Sequence, residues 1–147
     1  MGTNSTLAIL SLVRASLSAE GAARLAEALK TDSTVTKLHL RENALKDAGA
    51  VELDETLRVN SSLTSLNLSH NHITPYGATH VAAALRTNSI LTDLILKYNN
   101  VSTTGAAQLA YALKTNSTLT TLILEGSSVQ TLVILVRGIF IYLFCLI

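Results

Sequence analysis

Hydrophobic residues recur along this chain with a constant 28-residue period. The clearest example is LTSLNLSHNHI at residues 63–73, in which three leucines precede Asn71. The same spacing occurs one period earlier, ahead of Asn43, and one period later, ahead of Asn99. A constant period of this length predicts a repeat architecture in which every repeat forms the same supersecondary unit.

The first part of each repeat has the alternation of a β-strand. Leu38 and Leu40 alternate with Lys37, His39 and Arg41, and a period of two residues is typical of a strand with one buried face. Stacked repeats would bring equivalent leucines side by side in a parallel sheet, with neighbouring strands about 4.8 Å apart. The predicted column of leucines is Leu38, Leu66, Leu94 and Leu122.

An asparagine follows three of these strands, at Asn43, Asn71 and Asn99. A short amide side chain in a turn bonds readily to nearby backbone groups, and amides in successive repeats can form a ladder. We therefore predict that these are structural turn asparagines. Ala15 and Ser127 occupy the equivalent positions of the first and fifth repeats, so we expect the ladder to be lost at both ends.

The second half of each repeat has the spacing of an amphipathic helix. In the third repeat, small and apolar residues recur at helical intervals over residues 77–85. Ser18, Thr74 and Ser102 precede three of the helices, and we predict them as N-cap residues. Asp54 stands where other repeats have alanine, and because an unpaired aspartate is rarely buried, we expect it to reach water.

These columns divide the chain without insertion or deletion. They predict a repeat domain over residues 4–129, followed by a hydrophobic tail at residues 130–147. The predicted repeats are 4–31, 32–59, 60–87, 88–115 and a partial unit at 116–129. A single repeat cannot cover both faces of its leucine layer, so stability should depend on stacking between neighbours.

Two of these units, at residues 63–88 and 91–116, resemble the leucine-rich repeats of the ribonuclease inhibitor type, which have the same period. The resemblance implies an α/β leucine-rich repeat solenoid, curved as a horseshoe with a parallel sheet on the concave side and helices on the convex side. The repeat domains of NOD-like receptors and of Ran GTPase-activating proteins are similar to the same type.

Composition and motifs limit the function. The net charge is +1 and the basic residues are spread over the repeats, so nucleic acid is not an expected partner. The sequence has no nucleophile motif and no glycine-rich phosphate loop, and we predict no enzymatic activity, cofactor or small-molecule substrate. His70 and His72 flank Asn71, but no third ligand is near in sequence, and we predict no metal site.

The two ends of the chain bear on its location. Residues 7–13 form a short apolar run, but no basic residue precedes it and its leucines fall on the repeat register, which indicates a repeat and not a signal peptide. The single Cys145 allows no internal disulfide, so we expect a cytoplasmic location.

The tail at residues 132–147 is apolar except for Arg137. Three interpretations remain open: a segment that packs over the last repeat, a membrane anchor, or an accident of where the reading frame ends. The tail is shorter than the roughly 18 to 20 residues that a helical membrane span usually needs.

The residues that the fold leaves free lie on the solvent side of the predicted sheet. They mix charged, aromatic and aliphatic side chains, which favours a protein-binding surface on the concave face. The predicted partner-binding residues are Lys37, His39, Arg41, Glu42, Ser65, Asn67, Ser69, His70, Asp93, Ile95, Lys97, Tyr98, Thr121, Ile123 and Glu125.

The preferred function is a non-enzymatic interaction scaffold for a protein partner. One alternative is a GTPase-activating regulator of a Ran-like small GTPase, which a hydrolysis assay would identify. Another is a membrane-tethered or truncated fragment of a NOD-like receptor-type protein.

Overall fold

The computed structural model describes residues 6–127 and the strands at residues 132–136 and 139–143. Strands and helices alternate along residues 6–127. The strands are β1 (Ile9–Ser11), β2 (Lys37–His39), β3 (Ser65–Asn67), β4 (Asp93–Ile95) and β5 (Thr121–Ile123). The helices are α1 (Ala19–Thr31), α2 (Lys46–Val59), α3 (Pro75–Leu85) and α4 (Ser102–Ala112).

Strands β1 to β5 form one parallel sheet in the order of the sequence. Each strand pairs with the strand one repeat further along the chain, so Leu38 is opposite Leu66, and Leu66 is opposite Leu94. All three leucines are fully buried between the sheet and the helices. The predicted leucine column and the α/β leucine-rich repeat solenoid are therefore confirmed.

A ladder of buried amides follows the strands, at Asn43, Asn71 and Asn99. The Asn71 Nδ2 group donates to the carbonyl of Leu40 in the preceding repeat at 2.9 Å and to the carbonyl of Leu68 in its own repeat at 3.0 Å. Asn43 and Asn99 make the equivalent pair of bonds. Each amide thus satisfies carbonyls that the turn would otherwise leave unpaired.

The expectation that the ladder stops before the fifth repeat is wrong. The Ser127 hydroxyl donates to the carbonyl of Leu96 at 2.9 Å and lies 3.4 Å from the Asn99 backbone nitrogen. A hydroxyl can replace the amide because it both donates and accepts. At the other end, Ala15 has no polar side chain and contributes nothing to the ladder.

A second ladder of amides lies at the C-terminal ends of the helices. Its asparagines are buried, and each follows one helix while its Nδ2 group donates at 2.7 Å to a leucine carbonyl in the helix before that one. Each Oδ1 atom accepts from backbone N–H groups two or three residues further on, so the same side chain also forms the turn into the next strand. The residues are Asn60, Asn88 and Asn116.

Two of the three predicted N-caps are confirmed. Ser18 and Thr74 have extended backbones, and their hydroxyls accept from N–H groups in the first turn of α1 and α3. Ser102 is instead the first residue of α4, at φ +54°, and Lys46 begins α2 in the same way, at φ +55°. The reason is that the N–H groups of Lys46 and Ser102 donate to carbonyls in the next repeat, which holds these residues in the left-handed region.

The expectation that Asp54 reaches water is also wrong. Asp54 is buried where α2 and α3 meet, with only 8% of its surface accessible. One oxygen lies 2.7 Å from Arg58 Nε, and the other lies 3.2 Å from His80 Nδ1. The carboxylate therefore exchanges hydration for two side-chain partners, one on its own helix and one on the next.

The tail contains two strands, β6 (Leu132–Val136) and β7 (Ile139–Leu143), which pair antiparallel. Strand β6 approaches α4. The described part of the chain has no helix with the length and hydropathy needed to cross a membrane. The predicted domain boundary at residues 129 and 130, Arg137 and Cys145 lie outside the described residues.

Candidate protein-binding face

The solvent side of the β1–β5 sheet, called the concave face below, carries the predicted partner-binding residues in columns. The column at the start of the strands is Lys37, Ser65, Asp93 and Thr121. The column at the end of the strands is His39, Asn67, Ile95 and Ile123. The column after the strands is Arg41, Ser69, Lys97 and Glu125, followed by Glu42, His70 and Tyr98 at the rim. All of these residues except Ser69 reach solvent.

Ser69 differs from the exposed position expected for it, because only 4% of its surface is accessible. Its hydroxyl donates to Asn67 Oδ1 at 2.7 Å, and its backbone N–H donates to the same oxygen at 3.0 Å. A short hydroxyl side chain held in this way on the Asn67 side chain lies flat against the surface. Ser69 shapes the concave face but offers little contact area to a partner.

The rim of the concave face has a left-handed backbone in every repeat. The residues and their φ angles are Arg14 (54°), Glu42 (57°), His70 (55°), Tyr98 (53°) and Gly126 (69°). This region costs an L-residue about 1–2 kcal/mol. The backbone N–H groups of Glu42, His70 and Tyr98 each donate at 2.8–2.9 Å to a carbonyl in the next repeat, which offsets part of that cost and aligns the rim side chains.

The N-terminal half of the rim is an ion cluster. Glu42 pairs with Arg14 of the preceding repeat, and its other oxygen lies 2.6 Å from Arg41. The hydrogen bond from Arg14 is the main cause that lowers the pKa of Glu42, and the same bond raises the pKa of Arg14. Both groups therefore stay charged at neutral pH.

The C-terminal half of the rim is aromatic. The rings of His70 and Tyr98 stack with centroids 4.5 Å apart and planes inclined by 22°. On the other side of Tyr98 is Gly126, where an added Cβ atom would lie 2.4 Å from the tyrosine Cδ1 atom. Glycine at this position therefore provides the space that the Tyr98 ring occupies, and about half of the tyrosine surface remains exposed.

A pocket of about 370 Å³ opens on the concave face beside the aromatic rim. It combines two basic side chains, two aromatic rings and two isoleucines, and all its lining residues belong to the predicted set. They are Arg41, Asn67, Ser69, His70, Ile95, Lys97, Tyr98 and Ile123. Lys97 also pairs with Glu125 at 2.6 Å, so the charge at this edge is partly balanced.

Asp93 places a carboxylate near the middle of the sheet. The hydroxyl of Thr92 donates to it at 2.6 Å. Hydrogen bonds from Thr92 and then Thr121 lower the pKa of Asp93, and the positive charge of Lys37 acts in the same direction. The concave face thus presents both signs of charge at defined positions.

The sequence prediction missed three residues of the first repeat. Ile9 lies opposite Lys37 in the sheet, Val13 follows β1 in the column of Arg41, and Arg14 begins the rim. Ile9 and Val13 are exposed to 53% and 42%, so they extend the concave face with apolar surface. The signal that could have found them was the same repeat period, applied one repeat further back.

Repeats of one strand and one helix, stacked around a continuous leucine core, define this chain as a leucine-rich repeat solenoid. A family model described as leucine-rich repeat matches residues 31–53, 59–82 and 87–110. These three matches identify leucine-rich repeats in this chain. No curated protein matches the sequence significantly.

The solved structures that are similar to this chain include the following two. Actin-binding site 2 of leiomodin-1 is 28% identical, with a TM-score of 0.76 over 82% of this chain and 72% of that structure. The C-terminal domain of tropomodulin from Caenorhabditis elegans is 18% identical, with a TM-score of 0.74 over 82% of this chain and 75% of that structure. At 18% identity the second match supports the fold alone.

Proposed function

We propose that this chain is a non-enzymatic interaction scaffold that binds a protein partner through its concave face. The observation that carries the proposal is the pocket beside the stacked rings of His70 and Tyr98. Tyrosine and arginine are enriched in the energetically important parts of protein interfaces. The pocket offers a partner an apolar anchor point, and the charged columns around it would fix the orientation of that partner.

The charges beside the pocket indicate which partner groups would fit. Arg41 and Lys97 line the pocket, and each already has one carboxylate neighbour, Glu42 or Glu125. A partner that inserts an apolar side chain between Ile95 and Tyr98 would therefore find hydrogen-bond donors at the edge, with their charges partly neutralised. This arrangement favours a protein surface of mixed polarity over a highly charged one.

We also propose that the repeats are of the ribonuclease inhibitor-like type and that the protein is cytoplasmic. Each complete repeat contains a full helix of 11 to 14 residues, which supports the subtype. A single cysteine in the sequence is compatible with a reducing compartment. Fractionation of cells that express the tagged chain would test the location.

Actin is the first partner to test, because the similar leiomodin-1 structure is an actin-binding site. The experiment is co-sedimentation with filamentous actin, using the intact chain and a variant with Arg41→Ala and Tyr98→Ala. The matched control is Arg24→Ala with Tyr76→Ala, which removes another exposed arginine and tyrosine, both from the helices. If the concave face binds actin, the first variant should lose at least about tenfold in affinity, whereas the control should bind like the intact chain.

The results would distinguish a wrong binding face from a wrong partner. Unchanged binding by the concave variant, or equal loss in both variants, would contradict the proposed face. Absence of binding by the intact chain would remove actin as the partner. In that case the same two variants are compared on a purified protein that the intact chain captures, and equal capture by the concave variant would reject the face.

A further inference from the structure

Helices α1 to α4 lie on the convex face, and the two halves of that face carry different charged residues. Helices α1 and α2 carry acidic and basic side chains together. Helices α3 (PYGATHVAAAL) and α4 (STTGAAQLAYA) contain no acidic residue, and a basic residue follows the end of each, at Arg86 and Lys114. The two halves therefore differ in how their basic side chains are neutralised.

The first two repeats show the pairing of a basic residue at this position. Lys30 Nζ lies 2.9 Å from Glu27 of its own repeat and 3.0 Å from Glu55 of the next repeat. Glu27 and Glu55 occupy the same column of the repeat. In the third and fourth repeats this column contains Ala83 and Tyr111, so the carboxylates are missing while the basic residues remain.

Tyr111 takes the position of the missing carboxylate. Arg86 Cζ lies 5.7 Å from the ring centroid of Tyr111, and Lys114 Nζ lies 5.4 Å from it. The relationship between Arg86 and Tyr111 repeats that of Lys30 and Glu55, and the relationship between Lys114 and Tyr111 repeats that of Lys30 and Glu27. Over residues 6–127, neither Arg86 nor Lys114 has a carboxylate within ion-pair distance.

We propose that Arg86, Tyr111 and Lys114 form a second binding site, on the convex face, for an acidic segment of a partner protein. All three side chains are exposed. A cation over an aromatic ring keeps its N–H donors available, and a guanidinium can donate two parallel bonds to a carboxylate. A glutamate or aspartate from a partner would supply the neutralisation that Glu27 and Glu55 give Lys30, while the tyrosine ring offers apolar contact.

Two cations favour a peptide over the larger polyanions. A nucleic acid is bound through many phosphate contacts along its backbone, and a lipid surface is recognised by clusters of about four to eight basic residues. This site has two basic residues and one ring, which fits one or two carboxylates. It is separate from the concave pocket and does not depend on the proposed function of that pocket.

The test is fluorescence anisotropy with a labelled ten-residue peptide of alternating glutamate and glycine, beside the same peptide with glutamine in place of glutamate. Arg86→Gln with Lys114→Gln should weaken binding of the acidic peptide at least about fivefold, and salt should weaken binding to the intact chain. Arg24→Gln with Lys30→Gln removes the same charge from α1 and should change the affinity less than twofold. The glutamine peptide should not bind.

A further variant, Tyr111→Glu, restores the carboxylate of the first two repeats. It should abolish peptide binding while the unfolding midpoint stays equal or rises. Equal loss in both glutamine double variants, or unchanged binding by Tyr111→Glu, would overturn the proposal. Stronger binding to phosphatidylserine vesicles than to the peptide, if it depends on Arg86 and Lys114, would reassign the site to a lipid surface. The concave variant Arg41→Ala with Tyr98→Ala should bind the peptide normally, which separates the two proposals.

Discussion

The imidazole of His70 stacks on the ring of Tyr98 one repeat later, with a centroid distance of 4.5 Å. Both residues have a left-handed backbone, and both lie at the rim beside the pocket. Successive rim positions thus come close enough for their side chains to act as one surface, although a complete repeat of sequence separates them. The aromatic part of the proposed binding face is organised before any partner arrives.

This stacking predicts a specific change in the NMR spectrum. Tyr98→Ala should remove the ring-current shift of the His70 imidazole protons, and because the pair is partly exposed, the unfolding free energy should fall by no more than about 1 kcal/mol. Tyr76→Ala is the matched control. Its ring contacts His80 edge to face at 4.9 Å, so it should move the His80 protons and leave those of His70 unchanged. A His70 spectrum that is insensitive to Tyr98→Ala would contradict the stack.

The asparagine ladder predicts a ranking of stability losses. Asn99 Oδ1 accepts from the N–H groups of Asn71 and Ile73, each at 3.0 Å. Asn71 Oδ1 is a buried acceptor that has no hydrogen-bond partner among the residues that the structure describes. Removing the Asn99 side chain therefore leaves more backbone groups unsatisfied. Asn99→Ala should cost about 3–5 kcal/mol and Asn71→Ala about 2–4 kcal/mol.

Urea denaturation would measure both losses against Asn100→Ala. Asn100 is an exposed neighbour whose substitution should stay within about 0.5 kcal/mol of the parent. An Asn71 variant that loses more stability than the Asn99 variant would contradict the assignment of the additional hydrogen bonds to Asn99.

Lys46 and Thr74 occupy the same column but should respond to glycine in opposite ways. Lys46 is held at φ +55°, where glycine avoids a cost of about 1–2 kcal/mol but loses about 0.5–1 kcal/mol of entropy. Lys46→Gly should therefore stabilise the protein by about 0.5–1 kcal/mol. Thr74 is extended, caps α3 and donates to Asp47 at 2.6 Å, so Thr74→Gly should destabilise by about 1 kcal/mol. Thermal unfolding of the two variants would show shifts of opposite sign, and shifts of the same sign would reject the assignment.

Asp32 predicts part of the acid sensitivity of the fold. Hydrogen bonds from the backbone of Val35, and then from Thr34, lower the pKa of Asp32. A lowered pKa in the folded state gives stability that is present above the unfolded value of about 3.9 and is lost as the pH falls through the folded pKa. Asp32→Asn should therefore lose less stability than the parent between neutral pH and pH values below about 3.9.

Asparagine fits this column, because Asn60, Asn88 and Asn116 make equivalent turns. Urea midpoints of the parent and Asp32→Asn, measured at neutral and acid pH, would check the expectation. Thr34→Val removes only the hydroxyl bonds and should retain most of the parent's pH dependence. An equal fall in the parent and in Asp32→Asn would refute the role of this carboxylate.

The sequence was sufficient for features that repeat in every unit. Leucine columns and turn asparagines depend on local spacing, so one pattern predicts all copies. It was insufficient where a contact between neighbouring repeats decides how a side chain is bonded or buried. Ser127 continues a ladder because its hydroxyl reaches a carbonyl in the preceding repeat, and Asp54 is buried because His80 on the next helix approaches it. These contacts depend on the lateral fit of neighbouring repeats, which periodicity alone does not describe.

The candidate site, too, was predicted only in those features that depend on spacing along the chain. Spacing predicted which residues face solvent on the sheet, but not that Ser69 would fold back onto Asn67 or that His70 and Tyr98 would stack. The backbone at the start of the helices also alternates between repeats: Ser18 and Thr74 are extended, whereas Lys46 and Ser102 have positive φ. Residue type could not predict this alternation, because serine occurs in both conformations.

The constant offset between paired strands has a consequence for how such a protein can change its length. Each coil touches only its neighbours, so removing or duplicating one whole coil would preserve every kind of contact that remains. The sheet would become shorter or longer by one strand spacing, about 4.8 Å. A one-residue insertion within a strand would turn its leucines to the solvent side, so the binding surface grows most simply by complete turns of the solenoid.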